Sequence, residues 1–286
     1  MAVQGMREPL LYMGLAVSAL LPAAYVYVAR SNPQGAWRRL RMLMLSAVTA
    51  MMLLTGGVGD FDKITLSLAF PALAGAYMVL NYHFGRRTVD NLLYGIHGKV
   101  HRVSILSSPI PTAFTVAITG RVYATTGLYQ RLAPEEAAAI VAHEVGHLEA
   151  LRPVPSTVFV VVVAVAASAL ATGVASLLQQ GPVGVALAAA VLLAAGVSWV
   201  QFSWAWEHLA DIYALEAAGA WSISALYRIT GAGPEKPRLA RAYLDTLRCL
   251  RPRGGRGVAF LVNPHPRPGY RLYLLEKLAW RTGSWG

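Results

Sequence analysis

Two long runs without a single ionisable residue constrain this chain more than anything else in it. They are 156-STVFVVVVAVAASALATGVASLL-178 and 183-VGVALAAAVLLAAGVSWVQFSWAW-206. A helix needs about 20 apolar residues to cross a bilayer, and both runs exceed that. A buried core helix is the competing reading of any one such run. It is weakest here, because neither run carries a charge. Three further segments approach the same length: about Pro9 to Ala29, about Met42 to Val58, and about Ile64 to Tyr82. The second is shorter and Met-rich, so the core-helix reading is strongest there. The third is interrupted by Pro71, which membrane helices accommodate. The basic stretch after the first run makes that run an uncleaved anchor rather than a signal sequence.

Composition agrees with five spans. Of 286 residues, 56% are hydrophobic and 14% charged, against about 25% charged in an average soluble chain. The formal net charge of +11 would on its own suggest a nucleic-acid partner, but the basic residues alternate with the spans. Arg30, Arg38, Arg39 and Arg41 follow the first, and Arg86, Arg87, Lys99 and Arg102 follow the third. The segment from Arg228 to Arg281 is densely basic, whereas the loop 57-GVGDFDK-63 holds Asp60 and Asp62. Basic loops face the cytoplasm, so a single topology places 86–152 and 203–286 inside and excludes nucleic acid. Near the bilayer the same residues favour anionic lipid. The single Cys249 excludes an intramolecular disulfide framework and a Cys-based zinc knuckle.

The first cytoplasmic segment contains 141-VAHEVGHLEA-150. Its helix is expected to open at Pro134, with Glu135 and Glu136 at the positive end of the dipole. It is expected to stop before 152-RPVP-155, where Pro153 and Pro155 cannot continue it. Positions four apart share a helix face, so His143 and His147 can offer imidazole nitrogens to one zinc ion. Glu144 follows the first of them and is placed to take a proton from a water that the metal activates. Gly146 leaves room beside the metal. A catalytic zinc takes three protein ligands, and the second segment opens with 206-WEHLADIYALEAAG-219. Glu207 and Asp211 lie four apart there. The alternative for such a pair is a solvated helix face, but a carboxylate at the edge of a charge-free span is costly without a partner. Glu207 is the expected third ligand, and Asp211 the group that holds a ligand histidine through its other ring nitrogen. His208 points about 100° away from Glu207 around the helix and is read as structural.

The ordered set 119-TGRVYATTGLYQRLAPEEAAAIVAHEVGHLEA-150, 207-EHLAD-211 and 263-NPHPRPGYRL-272 resembles the HtpX-type membrane zinc metalloproteases. These are gluzincins related to the CAAX prenyl-protein endopeptidases. The resemblance covers about residues 86–280. It implies a mainly α, multi-span integral membrane protein with a cytoplasmic, zincin-like α+β protease domain. It implies one zinc per chain on His143, His147 and Glu207, with Glu144 as base, and polypeptide substrates drawn from misfolded or damaged membrane proteins. It also implies that His265, in a His-Pro pair, stabilises the oxyanion or the bound peptide. A histidine fixed by its flanking prolines is the equal alternative there. Finally, it implies that a strand at Thr112, Ala113, Phe114 and Thr115 receives substrate as an added strand. Three features depart from the family. Thr112 stands where Asn is frequent, Glu149 stands near where an Asp commonly follows the motif helix, and three N-terminal spans replace two.

The expected organisation is an N-terminal membrane region (1–85), the first part of the protease (86–152), a membrane hairpin (153–206) and the second part (207–286). Two other functions fit parts of the pattern. One is a non-catalytic, metal-binding membrane scaffold. The other is a site-2-type intramembrane protease, which would take an Asp ligand from a later membrane helix.

Overall fold

The computed structural model describes residues 2–58, 63–150, 156–250 and 265–282. Asp60, Asp62, Pro153, Pro155, Asn263 and Pro264 lie outside these. The chain divides into two compact units. One comprises Met1–Pro71, Val161–Trp206 and Pro237–Pro266; the other comprises Ala72–Val160, Glu207–Lys236 and Arg267–Gly286.

Each apolar run of the sequence is helical. The first, second and third lie in α1 (Ala2–Arg30), α2 (Ala36–Val58) and α3 (Lys63–Gly85). The two charge-free runs form α6 (Ser156–Leu178) and α7 (Gly181–Ala218). Among the described residues, three helical segments are long and apolar enough to cross a membrane: Glu8–Arg30, Ala36–Val58 and Gly181–Ala218. A shorter apolar stretch runs over Val162–Leu178.

In the first unit, Leu11 of α1 and Leu54 of α2 are buried with Val174 and Leu177 of α6 and Ala188 and Val191 of α7. Large apolar side chains on the outer faces stay exposed, as Leu20 and Leu192 do. A bundle whose surroundings are as apolar as its core leaves such residues outside at no cost. Polar side chains within it pair across helices. Ser18 and Ser198 hydroxyls lie 2.9 Å apart, and Gln201 Nε2 donates to Thr246 Oγ1 at 2.8 Å. Thr246 lies on α9 (Leu239–Cys249).

The second unit is built on a four-stranded sheet: β1 (Thr88–Ile96), β2 (Lys99–Leu106), β3 (Ala113–Val116) and β4 (Arg121–Thr125). The strand order is β1-β2-β4-β3, with β2 and β4 parallel and the other pairs antiparallel. β1 and β2 meet in a two-residue turn in which His97 and Gly98 have φ of 48° and 72°, the left-handed pair that tight hairpins demand. One row across the sheet, Leu92, Val103, Val122 and Thr115, is on the face toward α5 (Pro134–Glu149). On the other face the row is Asn91, Ser104, Tyr123 and Phe114.

The short helix α4 (Thr126–Arg131) follows β4, and two further contacts fix the helices around the sheet. Glu136, on the first turn of α5, is buried and accepts hydrogen bonds from the Ala133 amide (3.2 Å) and Ser224 Oγ (2.8 Å), with Arg228 Nη1 at 3.1 Å. This satisfies the Ala133 amide at the N-cap of α5 and ties the helix to α8 (Ala220–Thr230). Leu215 of α7, Ile223 and Leu226 of α8, and Leu272 and Leu275 of α10 (Pro268–Thr282) then form a common core. That core carries a segment distant in sequence up to α5.

Candidate metal centre

α5 places His143 and His147 on one face, with ring centroids 4.8 Å apart. Both are buried and Glu144 is half-buried. Ligand atoms of His143, Glu144 and His147 lie within 4.8 Å of one another. α7 runs alongside and brings Glu207 to both rings. Its Oε2 is 3.5 Å from His143 Nε2, and its Oε1 is 3.4 Å from His147 Nε2.

These contacts are longer than a tight imidazolium–carboxylate hydrogen bond, which closes to about 2.7–2.9 Å. Two donors each about 2.0–2.2 Å from a tetrahedral ion stand roughly 3.4 Å apart. Two imidazoles and a carboxylate at this spacing therefore fit a zinc ion, whose borderline softness suits that donor set.

α5 and α7 come this close because Gly146 has no side chain. A Cβ there would lie 2.8 Å from Ala210 Cα and 3.0 Å from Ala210 O. The space expected beside a metal is occupied by the backbone of α7, which corrects the role read for Gly146 from sequence.

Around the three donors lies a shell of charged and polar partners. Asp211 Oδ1 is 2.9 Å from His143 Nδ1, on the opposite side of the ring from Glu207. Arg271 of α10 grips Asp211 with both arms of its guanidinium, Nε to Oδ2 at 2.8 Å and Nη2 to Oδ1 at 2.6 Å. Its Nη1 reaches Glu207 Oε2 at 3.4 Å. Thr115 of β3 donates its hydroxyl to Glu144, at 2.6 Å from the carbonyl oxygen and 3.0 Å from Oε2.

Burial dominates the protonation of Glu144 and His147. It pushes the Glu144 carboxyl up to about 7; His143 and the Thr115 hydroxyl pull the other way and Glu207 adds to the rise. Burial also lowers His147 to about 3 despite Glu207, leaving its nitrogen free of a proton at neutral pH. For His143, burial and Arg271 act downward, but hydrogen bonding to Asp211 and Glu207 outweighs them and holds the ring at about 10. A metal ion competes with that proton for the ring nitrogen.

His143, Glu144, His147, Glu207 and Asp211 thus converge. Thr112, Ala113, Phe114 and Thr115 lie on or beside β3, which among the described residues pairs with β4 alone and forms an edge of the sheet. Thr112 uses its main chain within the sheet, its amide donating to Thr125 Oγ1 at 3.1 Å and its carbonyl accepting from the Thr125 amide at 3.0 Å. His208 is fully buried, with Nδ1 3.9 Å from Asp211 Oδ2. Glu149 pairs with Lys99 at 3.4 Å. His265 is exposed and falls in the first unit.

Sequence reasoning missed Arg271. The available signal was electrostatic: two carboxylates at the end of an apolar run need a cation, and Arg271 follows the Pro-rich 264-PHPRP-268.

The model of peptidase family M48 matches residues 85–279, well over half of the chain. The chain is also 25% identical over 284 residues to Protease HtpX of Legionella pneumophila (strain Lens), an alignment covering 82% of this chain and 97% of that protein. No solved structure gives a significant match.

Proposed function

The chain belongs to peptidase family M48 and is a membrane metalloprotease, and from that premise we propose a zinc endopeptidase centred on His143, His147 and Glu207. The observation that carries the reading is the placement of both His Nε2 atoms 3.4–3.5 Å from the two oxygens of one carboxylate.

Bound zinc supplies Lewis acidity, which makes a water acidic and polarises a carbonyl. The chain's own groups do the rest. Glu144 takes the proton from the attacking water and passes it to the leaving amine. Burial raises the Glu144 carboxyl above its ordinary range, toward the range that suits both transfers. Thr115 holds the Glu144 carboxylate through Oε2, so its lone pair keeps one direction. Asp211 holds His143 through Nδ1, leaving Nε2 as the donor. Arg271 balances the buried charge of Asp211 and Glu207.

β3 offers its open edge to an extended polypeptide, and main-chain pairing there would carry the scissile bond past Glu144. Substrates bound in this way are unfolded segments, which accords with misfolded or damaged membrane proteins as the physiological class. The basic residues after the first and third apolar helices support a multi-pass arrangement with the site on the cytoplasmic side. His265 is proposed, by family resemblance alone, as a group that meets the bound peptide.

The test is proteolysis of unfolded membrane and soluble polypeptides by the purified protein and by Glu144→Gln. The variant is expected to keep its zinc and lose cleavage by at least about a thousandfold. Undiminished proteolysis by the variant would remove Glu144 from the mechanism. A Glu207→Ala protein with full zinc occupancy would favour an intramembrane protease with a different third ligand.

A further inference from the structure

The two faces of the sheet in the second unit meet different surroundings. The row containing Thr115 looks onto α5. The opposite row is covered at its β4–β3 end by Phe84, at the foot of α3, whose ring centroid lies 5.2 Å from that of Phe114 and 4.9 Å from that of Tyr123. Along β1 and β2 the same face continues as Asn91, Leu93 and Gly95 beside Ser104, Arg102 and Val100. An antiparallel pair with one face in water normally turns polar residues outward. Here Leu93 and Val100 are each 72% exposed, and Val89, at the bulge that opens β1, is 61% exposed.

The charges around this face are one-sided. Arg102 pairs across from Leu93, and Arg86 and Arg87 are the only residues between α3 and β1. The acid of the hairpin, Asp90, pairs with Ile105 and so belongs to the row on the other face. At the foot of α3, Arg86 donates to the Tyr82 hydroxyl at 3.0 Å. Large apolar side chains, arginines and a tyrosine at the end of an apolar helix are the composition of a membrane–water boundary. A peptide-binding face would have no reason to begin at that boundary. Leu93 lies five residues beyond the start of β1, about 17 Å from the foot of α3 at the usual rise of a strand.

We infer that the open face of the β1–β2 hairpin is a lipid-contact surface. It lies in the headgroup layer of an anionic bilayer and holds the α5 centre beside the membrane. The hairpin can transmit that position because its turn is fixed on the other side. His97 Nε2 is 3.3 Å from Tyr213 O, with the two rings 4.5 Å apart, and Lys99 pairs with Glu149 of α5. This rests on the reading of α3 as a membrane-crossing helix.

The experiment uses the full chain with Cys249→Ser and one new cysteine at a time: Leu93→Cys, Val100→Cys, Met78→Cys in α3, and Glu135→Cys on α5. Each carries an environment-sensitive fluorophore and is reconstituted in nanodiscs of phosphatidylcholine, with or without phosphatidylglycerol. Quenching is read from lipids bearing a nitroxide near the glycerol end of the acyl chain. Labels at 93 and 100 are expected to lose intensity about twofold, more with phosphatidylglycerol, while the label at 135 is unaffected. Arg86→Gln with Arg102→Gln should remove the phosphatidylglycerol dependence at 93 and 100 and leave 78 unchanged. Quenching at 78 without quenching at 93 and 100 overturns the hairpin surface while α3 still lies in lipid. No quenching at 78 overturns the placement of α3, and the inference with it. Labels at 93 and 100 that ignore lipid but respond to an added unfolded polypeptide would make the face a peptide-docking surface instead.

Discussion

Gly146→Ala adds one methyl group at the point where α5 and α7 touch, and the structure gives the size of the consequence. The new Cβ would stand 2.8 Å from Ala210 Cα, 3.0 Å from Ala210 O and 3.1 Å from Tyr213 Cβ. Carbon atoms settle at about 3.5–4.0 Å, so the two helices must part locally by roughly 0.7 Å. Gly146 adjoins His147, and Ala210 lies three residues beyond Glu207. The displacement therefore falls on the His143–Glu207 and His147–Glu207 spacings of 3.5 and 3.4 Å, which already match what a tetrahedral ion requires. Overpacking of this kind costs about 1–3 kcal/mol. Binding zinc means drawing the donors together again against that strain, so affinity should fall about ten- to hundredfold at ~1.4 kcal/mol per decade. The assay is zinc competition against a chromogenic chelator, with kcat/KM measured at limiting and at saturating zinc. Gly95→Ala is the control, because nothing lies within 4 Å of its added Cβ. A Gly146→Ala protein that binds zinc and cleaves like the parent would show that α5 and α7 do not set the ligand spacing.

Three other outcomes follow from the same geometry. Arg271→Gln leaves Asp211 and Glu207 buried without their cation and should lower zinc affinity and kcat/KM by at least about tenfold, while Arg271→Lys should recover only part because an ammonium cannot span both Asp211 oxygens. Thr115→Val removes a hydrogen bond that favours the ionised Glu144, so that carboxyl should rise above about 7. A base must be deprotonated, so the acidic limb of kcat/KM against pH should move to higher pH, and an unmoved limb would refute the contact. Chelation with 1,10-phenanthroline should abolish cleavage, and stoichiometric zinc should restore it.

Much of this protein is legible without its structure because the physics involved is local. The charge-free run 156–178 becomes a helix with those same bounds, and the motif helix opens at Pro134 as its prolyl and acidic residues dictate. The shared face of His143 and His147 follows from helical periodicity alone. The cost of a carboxylate at the end of an apolar run likewise singles out Glu207 and Asp211 before any packing is known. Other features needed tertiary contact. Arg271 is one of 25 Lys and Arg residues in a basic segment that reads as a topology signal, and only the core shared by α7, α8 and α10 selects it. Thr115 looks like one more residue of an edge strand until the sheet lies against α5 and its hydroxyl meets Glu144. Gly146 looks like space for a metal until α7 fills it. Periodicity and desolvation act within a few residues and can be read along the chain. Which distant cation, hydroxyl or backbone completes the centre depends on how the helices pack, and no local pattern carries that information.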